Sequence, residues 1–286
     1  MKIILTGATG FVGSRFLDFL LSKGQEVVCI PSEMIKGKIT TEKFSALSDL
    51  IKRFNSNAII HTAAISNTVY SQQHPDESYI ANVELPLVMA KLAKEQNCKL
   101  ISCSSDQVYS ACDDTEAHSE DEVLEPKNVY GCHKLEAEKR LMEVNSDSVS
   151  LRLTWMYDMP LYKTKTNENF VFNLYKSALA GREGVYSIND FRGLTYVRSV
   201  AENILKALEL PGGVYNFGSE NEKDMYETAC CFSEALGIRQ QLIKPNNTAE
   251  TRSLRMDCSK IKSYGINIES TSEGIRKMVT DYPGFF

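Results

Sequence analysis

Tyr130 and Lys134 stand four residues apart in the segment Tyr130-Gly-Cys-His-Lys134. If that stretch is helical, one turn brings the phenol and the ammonium to the same face. A cation held there lowers the phenol's pKa. A phenol adjusted in that way protonates an alkoxide as hydride reaches a carbonyl carbon, or runs the reverse step. Far upstream, Gly7-Ala-Thr-Gly10-Phe-Val-Gly13 follows an apolar run at 2–6 and opens a helical pattern at 11–23. In that setting Gly7 and Gly10 allow a tight turn and close approach to a pyrophosphate, and Gly13 lets the helix pack on a sheet. The helix N-terminus then supplies N–H groups and a positive dipole. An ordinary strand-to-helix turn is the plainer reading, but the complete strand, loop and helix context favours a dinucleotide.

The choice of dinucleotide falls at the end of the second strand, where NAD-specific sites place an acid on the ribose hydroxyls. Here the run ends Cys29-Ile30-Pro31-Ser32 with no aspartate, and Glu33 comes a little late. Arg15, Lys36 and Lys38 are cationic candidates for a 2′-phosphate, with a solvated surface as the alternative for each. The balance leans to NADPH over NADH.

These groups need a scaffold, and the apolar pattern supplies one. Strand-like runs at 2–6, 26–30, 58–62, 99–102 and 149–153 alternate with helical patterns at 11–23, 44–54, 75–96 and 128–143. Continuous rather than alternating hydrophobicity in the strands fits a parallel sheet covered on both faces. After Thr154 the pattern becomes less regular, with a polar stretch at 163–169, helical patterns at 170–179, 200–208, 225–236 and 273–280, and short strands at 213–217 and 241–243. The fold class expected is α/β, a Rossmann-type doubly wound parallel sheet with a smaller C-terminal α/β substrate lobe. The dinucleotide-binding domain spans 1–154 and the substrate lobe mainly 155–286, with some of its segments returning to the first domain.

Composition narrows the partners. A chain of 286 residues with 43% hydrophobic and 24% charged residues buries a substantial core. A net charge of −5 without a Lys/Arg block argues against nucleic acid or an anionic membrane as the main partner. No apolar run approaches a membrane span, and the expected location is the cytoplasm. The eight cysteines are scattered without CxxC spacing, which reads as free thiols. His61, His74 and His118 are isolated and His133 lies between Tyr130 and Lys134, so no metal site is expected. The acidic run 116–125 reads as a solvated loop at the mouth of a cleft.

Several motifs in order, Gly7-x-x-Gly10-x-x-Gly13, His61-Thr-Ala-Ala64, Ser104-Ser105 and Tyr130-x-x-x-Lys134, give the chain a resemblance to the extended short-chain dehydrogenase/reductases. Within that family it looks most like the dTDP-4-dehydrorhamnose reductases, almost from end to end. Ser104-Ser-Asp-Gln-Val-Tyr109 is similar to their Ser-Thr-Asp-Tyr-Val-Phe segment. Pro126-x-x-x-Tyr130-Gly, Arg152-x-x-Trp155-x-Tyr157, Asn169-Phe-Val171, Arg252 and Met256-Asp257 also match.

The resemblance implies a catalytic trio. Ser105 hydrogen-bonds the sugar's carbonyl oxygen, Tyr130 donates the proton, and Lys134 holds the nicotinamide ribose and depresses the phenol's pKa. A slip of one residue would exchange Ser104 and Ser105. The implied cofactor residues are Gly7, Thr9, Gly10, Phe11, Val12, Gly13, Ser32, Ala63 and Ala64, with Tyr130 and Lys134. Ser104, Asp106, Gln107, Trp155 and Arg252 are implied on the substrate side, Arg252 toward a diphosphate. A core position for Trp155 and a surface ion pair for Arg252 stay open. Asn82 matches a family asparagine, or is a satisfied helix amide. Gln107 departs from the family's tyrosine and puts the identity of the 6-deoxy-4-keto sugar in question.

The function implied is NADPH- or NADH-dependent reduction of the 4-keto group of a nucleotide-diphospho-6-deoxysugar, in dTDP-rhamnose biosynthesis. Two alternatives stay open: a sugar-nucleotide epimerase or dehydratase of the same family, which retains its cofactor, and a regulatory subunit resembling that of methionine adenosyltransferase. A homodimer is left open as well.

Overall fold

The computed structural model describes residues 1–160 and 169–284. Strands β1 (Lys2–Thr6), β2 (Glu26–Cys29), β3 (Ala58–His61), β4 (Lys99–Ser105) and β5 (Val149–Leu153) join a later strand, Gly213–Asn216, in one six-stranded sheet. All neighbours run parallel, in the order Gly213–Asn216, β5, β4, β3, β1, β2. The order reverses around β1, so the carboxyl ends of β1 and β3 flank the topological switch point, where doubly wound sheets bind ligands.

The strands are apolar throughout because both faces are covered. Ile3, Leu5, Ala58 and Ile60 point to one core with Phe16 and Leu20 of helix Phe11–Ser22 and Val200 and Ile204 of helix Val197–Ala207. Ile4 and Ile59 point to the other, with Leu47 and Ile51 of helix Thr41–Phe54 and Met89 and Leu92 of helix Leu85–Glu95. Each of the Ile, Leu, Phe, Val and Met side chains, wholly withdrawn from water, contributes roughly 1.5–3 kcal/mol. A third core, around Tyr157, Phe170, Leu174, Tyr196, Phe232 and Ile275, belongs to residues after β5. The late strand Gly213–Asn216 pairs with β5, and helix Ser259–Ser263 packs against it from the same part of the chain.

Several elements differ in detail from the sequence pattern. The helical pattern at 75–96 is Pro75–Tyr79, a wider π-turn Ile80–Glu84, and Leu85–Glu95. Pro86 has no N–H to give the carbonyl of Asn82 four residues earlier, so the ladder widens there. The expected strand at 241–243 is a 3-10 turn, Gln240–Leu242, leading into the strand Ile243–Asn246. Of the polar stretch 163–169, only Asn169 lies within the described residues; it caps helix Phe170–Leu179 by accepting from the Phe172 N–H. Among the described residues, no helix is long and apolar enough to cross a membrane.

Candidate active site

The glycine segment is built by contact. Gly7 has φ +71°, and a Cβ there would lie 2.6 Å from Thr62 Oγ1 and 2.7 Å from the Ala63 nitrogen. A Cβ on Gly13 would lie 2.1 Å from the Gly7 carbonyl oxygen. The loops leaving β1 and β3 therefore touch, and the helix start sits directly on the first of them. Helices starting at Thr41, Val129, Phe170, Met225 and Thr271 carry side-chain caps, whereas helix Phe11–Ser22 has Gly10 at its N-cap, no side-chain cap and no acid in its first turn. Its first N–H groups and its dipole fit an anionic pyrophosphate.

Beside this cradle, His61 Nδ1 lies 2.7 Å from Thr6 Oγ1, and Thr62 Oγ1 donates to the Thr6 carbonyl at 2.7 Å. Burial, reinforced by the Lys134 charge, brings the His61 pKa down to about 3, so the ring is neutral. These bonds fix the Thr62-Ala-Ala64 backbone, with the small side chains of Ala63 and Ala64 partly exposed along it. Asn82 is a satisfied amide: it accepts from the Ile65 N–H at 3.1 Å and donates to the Ile65 carbonyl at 2.9 Å. Its role is to tie the loop after β3 to the π-turn.

Tyr130 and Lys134 share helix Val129–Val144, capped by Asn128, whose side chain accepts from the Gly131 N–H at 2.8 Å. Lys134 Nζ lies 5.7 Å from the Tyr130 ring centre and donates to the Cys103 carbonyl of β4 at 2.8 Å. Both side chains are buried. The expected depression of the phenol's pKa is corrected here. Burial pushes Tyr130 up, hydrogen bonding with the Ser105 hydroxyl draws it down, and Asp106 and Cys103 push it further up. The phenol stays protonated, as a donor must. Lys134 is the group brought down, to about 8, by burial, with Cys103 and Glu138 opposing.

The strand's two-residue period separates the two serines. Ser105 Oγ donates to Asp106 Oδ1 at 3.1 Å, accepts from the Gln107 N–H at 3.2 Å, and acts on Tyr130. Ser104 faces the other way and donates to Glu138 at 2.5 Å, inside a buried pair of Glu138 with Arg152. The expectation of Ser104 on the substrate side is therefore corrected: its hydroxyl is consumed behind the sheet. Gly131 completes the trio's packing, because a Cβ there would lie 2.3 Å from the Gln107 carbonyl oxygen. Glycine lets the helix start rest against the turn Asp106–Tyr109 and so sets Tyr130 beside Ser105.

Among the residues expected on the substrate side, Asp106 is buried against Arg192, with Nη2 to Oδ2 at 2.6 Å, and the Arg192 guanidinium lies 5.3 Å from the Trp155 ring centre. Trp155 is half-buried and meets Phe170 edge-on at 5.8 Å. Gln107 accepts from the Asn128 side-chain amide at 3.1 Å. Arg252 grips Asp190 with two bonds, 3.1 and 2.6 Å, across paired strands, and lines an open cleft of about 410 Å³ with Lys127, Asn128 and Ser110. Arg192 was not singled out from the sequence, since nothing local distinguishes it from other arginines. Gly131 did carry a signal, its place next to Tyr130.

The cations proposed for a 2′-phosphate divide. Arg15 is buried, pairs with Asp158 at 3.0 Å and donates to the Met159 carbonyl, so that candidate is withdrawn. Lys36 and Lys38 are exposed just after the short helix Ser32–Ile35. Ser32 is exposed and donates to Glu33 at 3.0 Å.

Comparisons with known proteins place the chain among relatives of the same fold. A dTDP-4-dehydrorhamnose reductase of Mycolicibacterium smegmatis is 25% identical over 249 residues, covering 85% of this chain and 72% of that protein. The methionine adenosyltransferase 2 subunit beta of Xenopus laevis is 25% identical over 282 residues, 93% of this chain and 83% of that protein. Among solved structures, a dTDP-4-dehydrorhamnose reductase of Bacillus anthracis in complex with NADP superposes with a TM-score of 0.86 at 20% identity, over 98% of each chain. The model of the RmlD substrate binding domain matches residues 1–283, and a match of that extent, over a glycine-cradled parallel sheet with Ser105, Tyr130 and Lys134 at its carboxyl ends, places the chain in the RmlD substrate binding domain family.

Proposed function

We propose that this protein is an NADPH-dependent reductase of the 4-keto group of a nucleotide-diphospho-6-deoxysugar, of the dTDP-4-dehydrorhamnose reductase type. The observation that carries the reading is the meeting of Ser105, Tyr130 and Lys134 next to an uncapped, glycine-cradled helix terminus. Bound there, the nicotinamide supplies a hydride to the sugar's C4. Ser105 hydrogen-bonds the carbonyl oxygen as negative charge grows on it. Tyr130 gives its phenolic proton to that oxygen, and ketone plus hydride plus proton yields the alcohol. Lys134, with two ammonium protons beyond the Cys103 bond, binds the ribose hydroxyls and stabilises the phenolate left behind. Gly7, Thr9, Gly10, Phe11, Val12 and Gly13 hold the pyrophosphate, Ala63 and Ala64 lie along the dinucleotide, and Ser32, Lys36 and Lys38 meet its adenosine end.

On this reading residues 1–154 hold the cofactor and 155–286 mainly the sugar nucleotide, with the later strand Gly213–Asn216 serving the first half. Trp155, Arg192 and Asp106 shape the sugar pocket, and Lys127 and Arg252 face the diphosphate. Gln107, an amide in place of an aromatic ring, selects the sugar by hydrogen bonds. The reading includes a cytoplasmic enzyme; light scattering after size exclusion decides between monomer and homodimer.

The test is to incubate the purified protein with dTDP-4-keto-6-deoxysugar and, separately, NADPH and NADH. Stoichiometric loss of reduced-nicotinamide absorbance, faster with NADPH, is expected. Tyr130→Phe should abolish that loss with NADPH affinity nearly unchanged, and turnover at the wild-type rate in the variant refutes the assignment. Conversion without net oxidation identifies an epimerase instead. A regulatory reading has its own support in the similarity to methionine adenosyltransferase 2 subunit beta. Co-purification with a synthetase, together with no reduction of any keto-sugar, would select it.

A further inference from the structure

The loop between the turn Asp106–Tyr109 and the Tyr130 helix brings together three residues that its sequence separates. Ligand atoms of Cys112, His118 and Glu122 all lie within 4.8 Å of one another. We propose that Cys112, His118 and Glu122 form the core of a binding site for a divalent metal ion of the zinc class, with Asp114 as the neighbouring second carboxylate.

The donor set is the first support. A thiolate, an imidazole and a carboxylate suit a borderline-soft ion such as zinc, whereas magnesium and calcium take oxygen donors alone. Bonds of about 2.0–2.3 Å at tetrahedral angles put ligand atoms roughly 3.3–3.7 Å apart, so the cluster needs only small side-chain adjustments. The histidine is the second support. His118 is buried, its Nδ1 lies 2.9 Å from Glu122 Oε2, and its Nε2 lies 3.5 Å from Asp114 Oδ1. That Nε2 is buried without a hydrogen-bond partner. With Nδ1 on the ion beside Glu122, Nε2 faces the Asp114 carboxylate, the arrangement that orients ligating histidines.

The ring is also held in place. It stacks on Tyr109 with centres 5.1 Å apart, and the His118 backbone donates to the Arg255 carbonyl and accepts from the Asp257 N–H, each at 3.0 Å. The Cys112 carbonyl accepts from Ser253 at 3.1 Å. The acidic run is thus a pinned structure and not simply a solvated loop. Cys112 and His118, six positions apart, and Glu122 four further on give no CxxC signature, so the sequence hides the cluster. Cys112 also lines the cleft that holds Lys127, Asn128 and Arg252. A bound ion would fasten that wall of the cleft to the segment around Arg252.

The inference is independent of the reductase reading, and its test does not use turnover. The chain, stripped by a chelator and exchanged into buffer, is titrated with Zn²⁺ and with Co²⁺. One ion per chain is expected, with tetrahedral Co²⁺ visible bands and a thiolate-to-cobalt charge-transfer band. Cys112→Ser should remove the charge-transfer band, Glu122→Gln should weaken binding at least about tenfold, and Asp114→Asn roughly 10- to 100-fold. Cys132→Ser, which changes an exposed thiol elsewhere, should leave the band intact. Circular dichroism of each variant without metal establishes that it is folded. No binding at micromolar ion, or a band that survives Cys112→Ser, overturns the proposal.

Discussion

In the proposed trio Lys134 is the side chain whose charge matters most, and burial has moved its titration close to physiological pH. Its pKa is brought down from 10.5 to about 8. The Tyr130 phenol moves the other way and stays protonated. The kcat/KM of the reduction should therefore fall as pH rises through about 8, when Lys134 loses its proton, with no separate limb from the phenol near neutrality. A profile flat well beyond that point would remove Lys134 from the role. The same shift has a stability consequence of definite sign. Between about 8 and 10.5 the unfolded chain binds the Lys134 proton more tightly than the native chain, so this group makes stability rise with pH across that window. Below it, the buried ammonium is a standing penalty. Lys134→Met should abolish reduction yet raise stability by roughly 1–3 kcal/mol, the relieved desolvation exceeding the lost bond to Cys103. Urea unfolding at neutral pH measures it, and destabilisation would show the Cys103 bond to matter more. Ser105→Ala should lower kcat about 100-fold with the fold intact, as removal of a single donor to a developing oxyanion does.

At the scale of elements, the trio depends on how closely one helix start can approach one turn. A methyl group on Gly131 would fall 2.3 Å from the Gln107 carbonyl oxygen and 2.9 Å from Pro126 Cβ. Gly131→Ala should force the helix away from Ser105, destabilise by about 1–3 kcal/mol, and lower kcat on the order of 100-fold. The displaced helix also carries Lys134, so NADPH affinity should fall, but by much less than kcat because the glycine cradle lies elsewhere; fluorescence titration measures it, and a loss of affinity as large as the loss in kcat would mean that the whole sheet end had shifted. Much of this was legible in the sequence. The strands announced themselves because a sheet covered on both faces needs unbroken apolar runs, and the helical pattern at 128–143 placed Tyr130 and Lys134 on one helix, Val129–Val144. Ser105 was favoured over Ser104 only through the resemblance, because the choice rests on which face of β4 meets Tyr130. Strands such as Asp190–Arg192 and Arg252–Leu254 are too short to show a period. The pairs they create, Arg192 with Asp106 and Arg252 with Asp190, join residues far apart in sequence, and the Cys112, His118 and Glu122 cluster depends on how one loop folds back.

Across the whole molecule, the helix Phe11–Ser22 and the chain after β5 share an apolar core and are also tied through a buried carboxylate, Asp158. Asp158 is almost wholly buried. It accepts from Arg15 Nε at 3.0 Å and the Tyr282 hydroxyl at 2.9 Å, and Arg198 lies 3.8 Å away. Arg15 adds a bond to the Met159 carbonyl and lies 4.4 Å from the Phe11 ring centre, at the first turn of the cradle helix. Removing Asp158 strands the buried Arg15, and removing Arg15 leaves Asp158 only the longer contact with Arg198; loss of a buried ion-pair partner costs about 3–5 kcal/mol. Arg15→Met and Asp158→Leu should each destabilise on that scale, and the double variant should lose less than the sum, because neither charge is then stranded. Denaturant midpoints of the four proteins measure the coupling, and strict additivity would show that the pair does not act as a unit. The same variant settles what Arg15 does for the cofactor. If Arg15 serves only as a clamp on the helix, Arg15→Met weakens NADPH and NADH together, by the same factor. If it binds a 2′-phosphate, NADPH affinity alone collapses. The buried pairing with Asp158 predicts the first outcome, leaving any preference for NADPH to the exposed lysines after Ser32.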